Sequence, residues 1–422
     1  MPIDLLNAVA IRWDQPDPLH VPLLKEAGVS TVMTVPHEGF EAACREAGLR
    51  AVHEDQIRPL DLQELGKAKP GDTVVVKAGL WPGTGTPDPS VASATRSLWV
   101  DQNTYLVRYL RALHPGIPPV LGYLPDADAG VAPDRPFRFD SLELALAEAW
   151  AAGGNYLMAL EPRFRAALLK GAGDALTAWR RLGQTARWLS AHAEMFRQPA
   201  LSSVTVLVDE SDSSREIANL CFRQNVSPAL ASSSDPPAPD VSRCLVLSAA
   251  GIETPQGEIQ RRILAHAEAG AAVVVDQPGA WWKRPGLKAS RSEPDREFFS
   301  LGRGQLVAYK EPVTDPGEFA LDLIDIVGQK RRAARLWNSR AGVALSTAFP
   351  RSGGLRGKAA LHVINYTQPM NQPLLAQIQG VFSRAVLLEP GAEQAQLRIA
   401  RRGSLSEVAI PQLQRVASVI FS

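Results

Sequence analysis

Residues 118–162 read PPVLGYLPD (118–126), a loop rich in Pro, Gly and Asp, then DSLELALAEAWAAGG (140–154) and NYLMALEP (155–162). The apolar runs Val120–Leu124 and Tyr156–Leu160 are short and bounded by Pro, Asn and Gly, as strands buried on both faces are. Between them Leu142, Ala145, Leu146 and Ala149 recur at helical spacing. Asp140 stands at the N-cap position with Glu143 three residues on, and Gly153–Gly154 ends the helix. A strand–helix–strand crossover of this length predicts two parallel strands in a right-handed connection. Both strands run into carboxylates, Asp126 and Asp128 after the first and Glu161 after the second. In a parallel α/β architecture that end of the sheet is where ligands bind.

Working outward, residues 1–198 alternate strands and helices. Strands are expected at Ala8–Trp13, Ser30–Val35, Leu49–His53 and Thr73–Ala78, with a short fifth at Leu98–Val100. Helices are expected at Pro18–Ala27, Phe40–Ala47, Asn103–Leu113 and Ala175–Phe196. Six or seven βα units in so short a segment predict a compact or incomplete (β/α) TIM-type barrel. Residues 199–335 form a second α/β unit of flavodoxin-like size. It has strands at Ser203–Asp209, Leu245–Ser248, Ala272–Asp276 and Gly304–Tyr309, and an Asp315 to Glu318 capping box before the helix Phe319–Val327. Residues 336–422 change character. Six short strand-like runs, from Leu361–Tyr366 to Val416–Phe421, are separated by Gly, Pro or Asn, the signature of an antiparallel β-sandwich.

The bulk numbers agree with a chain of about three domains. Of its 422 residues 45% are hydrophobic and 21% charged, enough to bury real cores. Lys plus Arg number 45 against 44 Asp plus Glu, a net charge of +1, which gives no reason to expect nucleic acid or an anionic membrane as partner. Cys44, Cys221 and Cys244 lie far apart without metal-ligand spacing and read as buried free thiols. The start, MPIDLLNAVAIRWDQ, has no basic region followed by an apolar core, so a cytoplasmic protein is expected by default. No G-x-G-x-x-G follows the first strand, which argues against a dinucleotide; no cofactor is expected.

Two stretches carry a family resemblance. LVLSAAGIETPQGEIQRRILAHAEAGAAVVVD, followed by SLGRGQLVAYKEP, resembles the glutamine-amidotransferase-like trimerisation domain of bacterial β-galactosidases and related glycoside hydrolases. ALHVINYTQP and the terminal VAIPQLQRVASVIF resemble their closing β-sandwich. The resemblance covers residues 199–422 well; over the barrel it rests on architecture and AEAWAAGGNYLMAL. It implies a carbohydrate substrate, a glycosidic bond as the target and a self-associating protein. The turn after Leu247 reads SAAGIETP and lacks the amidotransferase Cys, so the middle domain should be catalytically silent. An Asn-Glu pair, the usual acid/base signature of those galactosidases, is not recognisable at a barrel strand end.

Glycoside hydrolysis needs two carboxyls flanking one bond. Asp126 and Glu161 are the candidate catalytic pair, because they follow parallel strands joined by one crossover; Glu161 would be the general acid, Asp126 the nucleophile or base. The competing reading pairs Glu161 with Arg163 or Arg165 and makes Asp126 a loop cap. Asp14, His37, Glu54 and Asp101 also follow strands and would share the rim as substrate-binding groups. His37 and His53 could ligate a metal with Glu54 or Asp14, but isolated histidines are more often scaffolding, and no metal is expected. Lys77, in the apolar run TVVVKAG, must meet a carboxylate or a wet cavity. Trp81, in a Gly/Pro loop, suits a sugar platform, whereas Trp13 suits the core. The doublet Trp281–Trp282 suits an exposed domain or subunit interface. The run QKRRAARLW (329–337) reads as a solvated or interdomain basic patch. Two functions follow: a glycoside hydrolase acting through the barrel rim, or a non-catalytic saccharide-binding or assembly protein with a degenerate barrel.

Overall fold

The computed structural model describes residues 3–79, 102–122, 138–239, 242–247, 257–279, 282–283, 287–337, 342–349, 358–366 and 372–422. The N-terminal unit contains the strands β1 (Ala10–Arg12), β2 (Thr31–Thr34), β3 (Arg50–His53), β4 (Arg58–Leu60), β5 (Val74–Val76), β6 (Val120–Gly122) and β7 (Asn155–Ala159). Its helices are α1 (Val21–Glu26), α2 (Glu38–Glu46), α3 (Gln102–Leu113), α4 (Ser141–Ala151), α5 (Pro162–Leu169), α6 (Gly173–Ala191) and α7 (Ala193–Phe196). Among the described residues the strands form one all-parallel sheet in the order β3-β2-β1-β7-β6-β5-β4.

That order forces the sheet to curl. β3 and β4 stand at its two ends, yet only Glu54–Ile57 separates them in the chain. Laid flat, seven strands would hold their edges about 29 Å apart at about 4.8 Å per step. The link from His53 to Arg58 can reach only about 18 Å. The interior shows the consequence. Ala10, Met33, Val52, Val75, Val120 and Leu157, one from each of β1, β2, β3, β5, β6 and β7, meet in a single cluster with Ile57, Ile3 and Leu5. The alternate residues Ile11, Val32, Val76, Leu121, Tyr156 and Met158 face outward into the helical layer. The incomplete barrel is therefore as expected; the unforeseen elements are β4, whose Pro59 disguised a short edge strand, and the helix α5. The expected strand Leu98–Val100 lies outside the described residues.

The organising crossover is present, with α4 between β6 and β7, and β6 and β7 parallel. Gly153, at φ +87°, turns the chain out of α4, a conformation that favours glycine. One local feature was not foreseen and one expectation is corrected. α4 is not amphipathic: all eleven of its residues are buried. Asp140 does not cap it, because its carboxylate is drawn instead to Arg138, Arg181 and Arg415. Burial raises the Asp140 pKa, but Arg415 and Arg138 outweigh it, and the carboxyl sits below its usual range. Glu143 likewise takes Arg181, and accepts from Thr185 at 2.8 Å.

The second unit holds β8 (Val204–Val208), α8 (Asp212–Arg223), β9 (Ala229–Ser232), β10 (Cys244–Leu247), α9 (Gly257–Ala269) and β11 (Ala272–Val275). It continues with β12 (Ala289–Ser292), β13 (Arg296–Leu301), β14 (Gly304–Tyr309) and α10 (Pro316–Val327). Its sheet runs β12-β13-β14-β11-β10-β8-β9. Counting only the parallel strands in chain order, this is 2-1-3-4-5, the flavodoxin-like order. The antiparallel β12–β13 hairpin at the edge was not foreseen. Asp315 caps α10 through the amides of Gly317 and Glu318, with Pro316 in the first turn. Cys221 and Cys244 are buried in one core, and burial pushes the Cys244 thiol up to about 12. The turn after Leu247 lies outside the described residues.

The last unit contains β15 (Ala334–Leu336), β16 (Gly342–Ala348), β17 (Ala359–Asn365), β18 (Leu374–Gln379), β19 (Ala385–Leu388), β20 (Ala395–Leu397), β21 (Ala400–Arg402), β22 (Leu405–Ile410) and β23 (Val416–Phe421). They form two antiparallel sheets, β15-β18-β22-β21 and β16-β17-β23-β19-β20, whose inner faces share one core. The second sheet also packs on the barrel. Leu345, Ala360, Ile364, Tyr366 and Val416 belong to the same cluster as α4 and α6. Buried polar groups pin that contact: Tyr366 Oη donates to Glu148 at 2.6 Å, and Asn103 Nδ2 to its other oxygen at 2.7 Å. Among the described residues no helix is long and apolar enough to cross a membrane.

Candidate functional site

The C-terminal ends of the barrel strands carry the candidate residues, and the ladder register places several together. Arg12 on β1 lies beside Ala159 on β7 and Met33 on β2, and Met33 lies beside Val52 on β3. Two residues further along these chains come Asp14, Glu161 and Glu54, so Asp14 and Glu161 follow adjacent strands and Glu54 follows β3, one strand beyond β2 on the same side of the sheet.

Each of the three has an arginine. Glu161, only 6% exposed, opens α5. One carboxylate oxygen accepts from the amides of Arg163 at 2.7 Å and Phe164 at 3.2 Å; the other accepts from Arg163 Nε at 2.6 Å. Pro162 follows at the first helical position, where its missing N–H costs nothing. Asp14 pairs with Arg165, one turn into the same helix. Glu54 pairs with Arg12 at 2.8 Å. Arg12 is the residue the sequence reading missed. Its position two after Ala10 gives it the inward face of a short strand, where a guanidinium needs a carboxylate.

On the opposite side of the sheet Lys77 lies just past β5 instead of within it and is exposed; of the carboxylate or wet cavity expected for it, it meets a carboxylate, Asp61 at 3.1 Å. The two histidines are scaffolding. His37 Nδ1 accepts from the Phe40 amide at 3.0 Å and caps α2, while His53 bonds Glu41 at 3.0 Å. Glu41 also accepts from the His37 amide, and that bond, with His53, holds its carboxyl below the usual range. Among the described residues no cluster of three His, Cys, Asp or Glu could hold a metal ion. Trp13 is buried in the core, as expected. Asp126, Trp81 and Asp101 lie outside the described residues, as does Trp281. Trp282 corrects the expectation of an exposed pair: it is 3% exposed and packs on Phe299 with ring centroids 5.0 Å apart.

What this arrangement offers chemically is a polar rim of matched charges. Asp14, Glu54, Lys77 and Glu161 are all engaged with neighbours, and Arg12, Arg163 and Arg165 are their unforeseen or alternative partners.

No protein-family model matches the chain, and no curated protein matches it in sequence. Solved structures do match in fold. An α-L-fucosidase isoenzyme 2 from Paenibacillus thiaminolyticus aligns over 98% of this chain and 99% of its own, with a TM-score of 0.61 at 10% identity. A β-galactosidase from Bacillus circulans sp. alkalophilus aligns over 91% of this chain and 66% of its own, with a TM-score of 0.54 at 11% identity. One from Rahnella sp. R3 aligns over 90% and 65%, with a TM-score of 0.52 at 11% identity. The chain thus has a glycoside-hydrolase-like fold and spans about two thirds of the length of those β-galactosidases.

Proposed function

We propose that this is a glycoside-hydrolase-like protein that engages carbohydrate at the C-terminal rim of its barrel and holds it without cleaving it. One observation carries the reading: Glu161, the best candidate acid, spends its oxygens on two amides of its own helix and on Arg163. A general acid must present a proton to the leaving oxygen, and a carboxyl committed in this way has neither the freedom nor the open face for that. Asp14 and Glu54, more exposed than Glu161, are each ion-paired, with Arg165 and Arg12. Such ion pairs still offer edges of carboxylate and guanidinium to sugar hydroxyls, which is a binding surface.

The carbohydrate class comes from the fold neighbours, an α-L-fucosidase and two β-galactosidases. Hydrolysis is the second reading, and one observation favours it. β6 and β7 are paired, with Gly122 beside Leu157, so the strand that precedes Asp126 in the chain lies next to the strand that leads to Glu161. Titration calorimetry of the full chain with galactosides and fucosides tests the proposal. Heat of binding that disappears in Asp14→Asn and Glu54→Gln variants is expected. Saccharide binding that is absent, or indifferent to both substitutions, would overturn the rim assignment.

A further inference from the structure

A second site, remote from the barrel rim, lies where the flavodoxin-like unit meets the β-sandwich. A cleft of about 420 Å³ opens at the N-terminal ends of β8, β10 and β11. Ser203, Arg243 and Ala271 each stand immediately before one of those strands; Arg331, Ala333 and Gln379 form the facing wall. Its volume suits a monosaccharide-sized ligand, and domain junctions are common places for such sites.

The lining is chemically one-sided. It contains two guanidiniums, Arg243 and Arg331, and no carboxylate among the described residues. Both arginines are exposed, and neither is ion-paired among the described residues. The nearby end of α9 would disfavour an anion, but its Ala269 carbonyl is already covered by Arg303 at 2.9 Å. A second, independent sign comes from buried groups. Ser242 lines the cleft at 9% exposure, and its Oγ has no hydrogen-bond partner among the described residues. The same holds for Gln379 Oε1 on the facing wall. Buried polar atoms are normally satisfied, and those that are not call for an account. Gln379 Oε1 can only accept, so what satisfies it must bring a donor.

We propose that this cleft binds a small polyol bearing an oxyanion, a sugar phosphate or a sugar acid. Arg243 and Arg331 meet the charge, Ser242 completes the oxyanion's hydrogen bonds, and Gln379 accepts from a ligand hydroxyl. Planar guanidiniums suit carboxylate and phosphate alike, so the two sources share one recognition chemistry. The basic run 329–337, read in the sequence as a solvated or interdomain patch, supplies Arg331 to it.

The test is calorimetry of the full chain with glucose 6-phosphate, glucuronate and, as the neutral control, glucose. At least one charged sugar should bind about tenfold or more tightly than glucose, the scale of one charge-assisted hydrogen bond. Which of the two binds better separates phosphate from carboxylate. The double variant Arg243→Gln/Arg331→Gln should abolish that preference with an unchanged melting temperature, while Glu161→Gln should bind as the parent does. Equal affinity for glucose and both charged sugars would overturn the proposal. So would a preference that survives the double variant or disappears in Glu161→Gln.

Discussion

Glu161 shows how a residue chosen for chemistry can be held by structure. As a cap, one of its oxygens accepts from two of the amides left free at the start of α5. Glu161→Ala should cost about 1 kcal/mol of stability by urea unfolding. Glu161→Gln, which keeps an acceptor for the amides, should cost less than the alanine variant. His362 gives a prediction of the opposite kind. It is fully buried, bonded to Ser418 at 2.8 Å and Thr347 at 3.2 Å, and burial and then Arg108 lower its pKa to about 3. The folded protein therefore keeps it neutral where the unfolded chain, with a pKa of about 6.5, takes up a proton. Its contribution is complete above about pH 6.5 and is lost as the pH falls toward 3, at about 1 kcal/mol per pH unit. In His362→Gln the unfolding free energy between pH 6 and pH 4 should fall less steeply, by about that amount per unit. An identical slope would contradict it. At this scale the sequence marked Lys77, Glu54 and Asp14 as rim residues, but their partners were illegible. Arg12 finds Glu54 across 42 positions, and Asp14 finds Arg165 across 151.

Among the elements, α4 decides most. Its apolar spacing made it legible as a helix, and Gly153–Gly154 fixed its end. Its complete burial was not legible, because the polar residues that suggest an exposed face are satisfied by groups far away: Glu148 by Asn103 and Tyr366, Glu143 by Arg181 and Thr185. Tyr366→Phe removes one donor from a buried carboxylate and should cost about 1–3 kcal/mol by chemical denaturation. Gly154 sits against the loop before β6. A Cβ there would meet the Pro119 carbonyl at 2.5 Å and Val107 at 2.8 Å. Because one of those neighbours is backbone, Gly154→Ala should cost about 1–3 kcal/mol despite its small volume. The strands missed by the sequence reading are β4, β9, β12, β13, β15, β16 and β21; all but β13 stand at a sheet edge, where pairing outweighs composition.

For the molecule as a whole, three architectures were legible because each has its own periodicity. How the first and third share a core was not. That junction is built from single residues, Tyr366, Ile364, Leu345 and Val416 against α4 and α6, with Asp140 and Arg415 ion-paired within it. A fragment ending at residue 198 would expose this surface, so it should fail to show the cooperative thermal transition of the full chain. The fold is glycoside-hydrolase-like, while the rim acids among the described residues are spent on arginines. The most direct test is release of p-nitrophenol from aryl galactosides and fucosides by the full chain, beside Glu161→Gln and Asp126→Asn. The account predicts release no faster than in buffer for all three proteins. Turnover by the parent chain that both substitutions abolish would contradict it and establish Asp126 and Glu161 as a working pair.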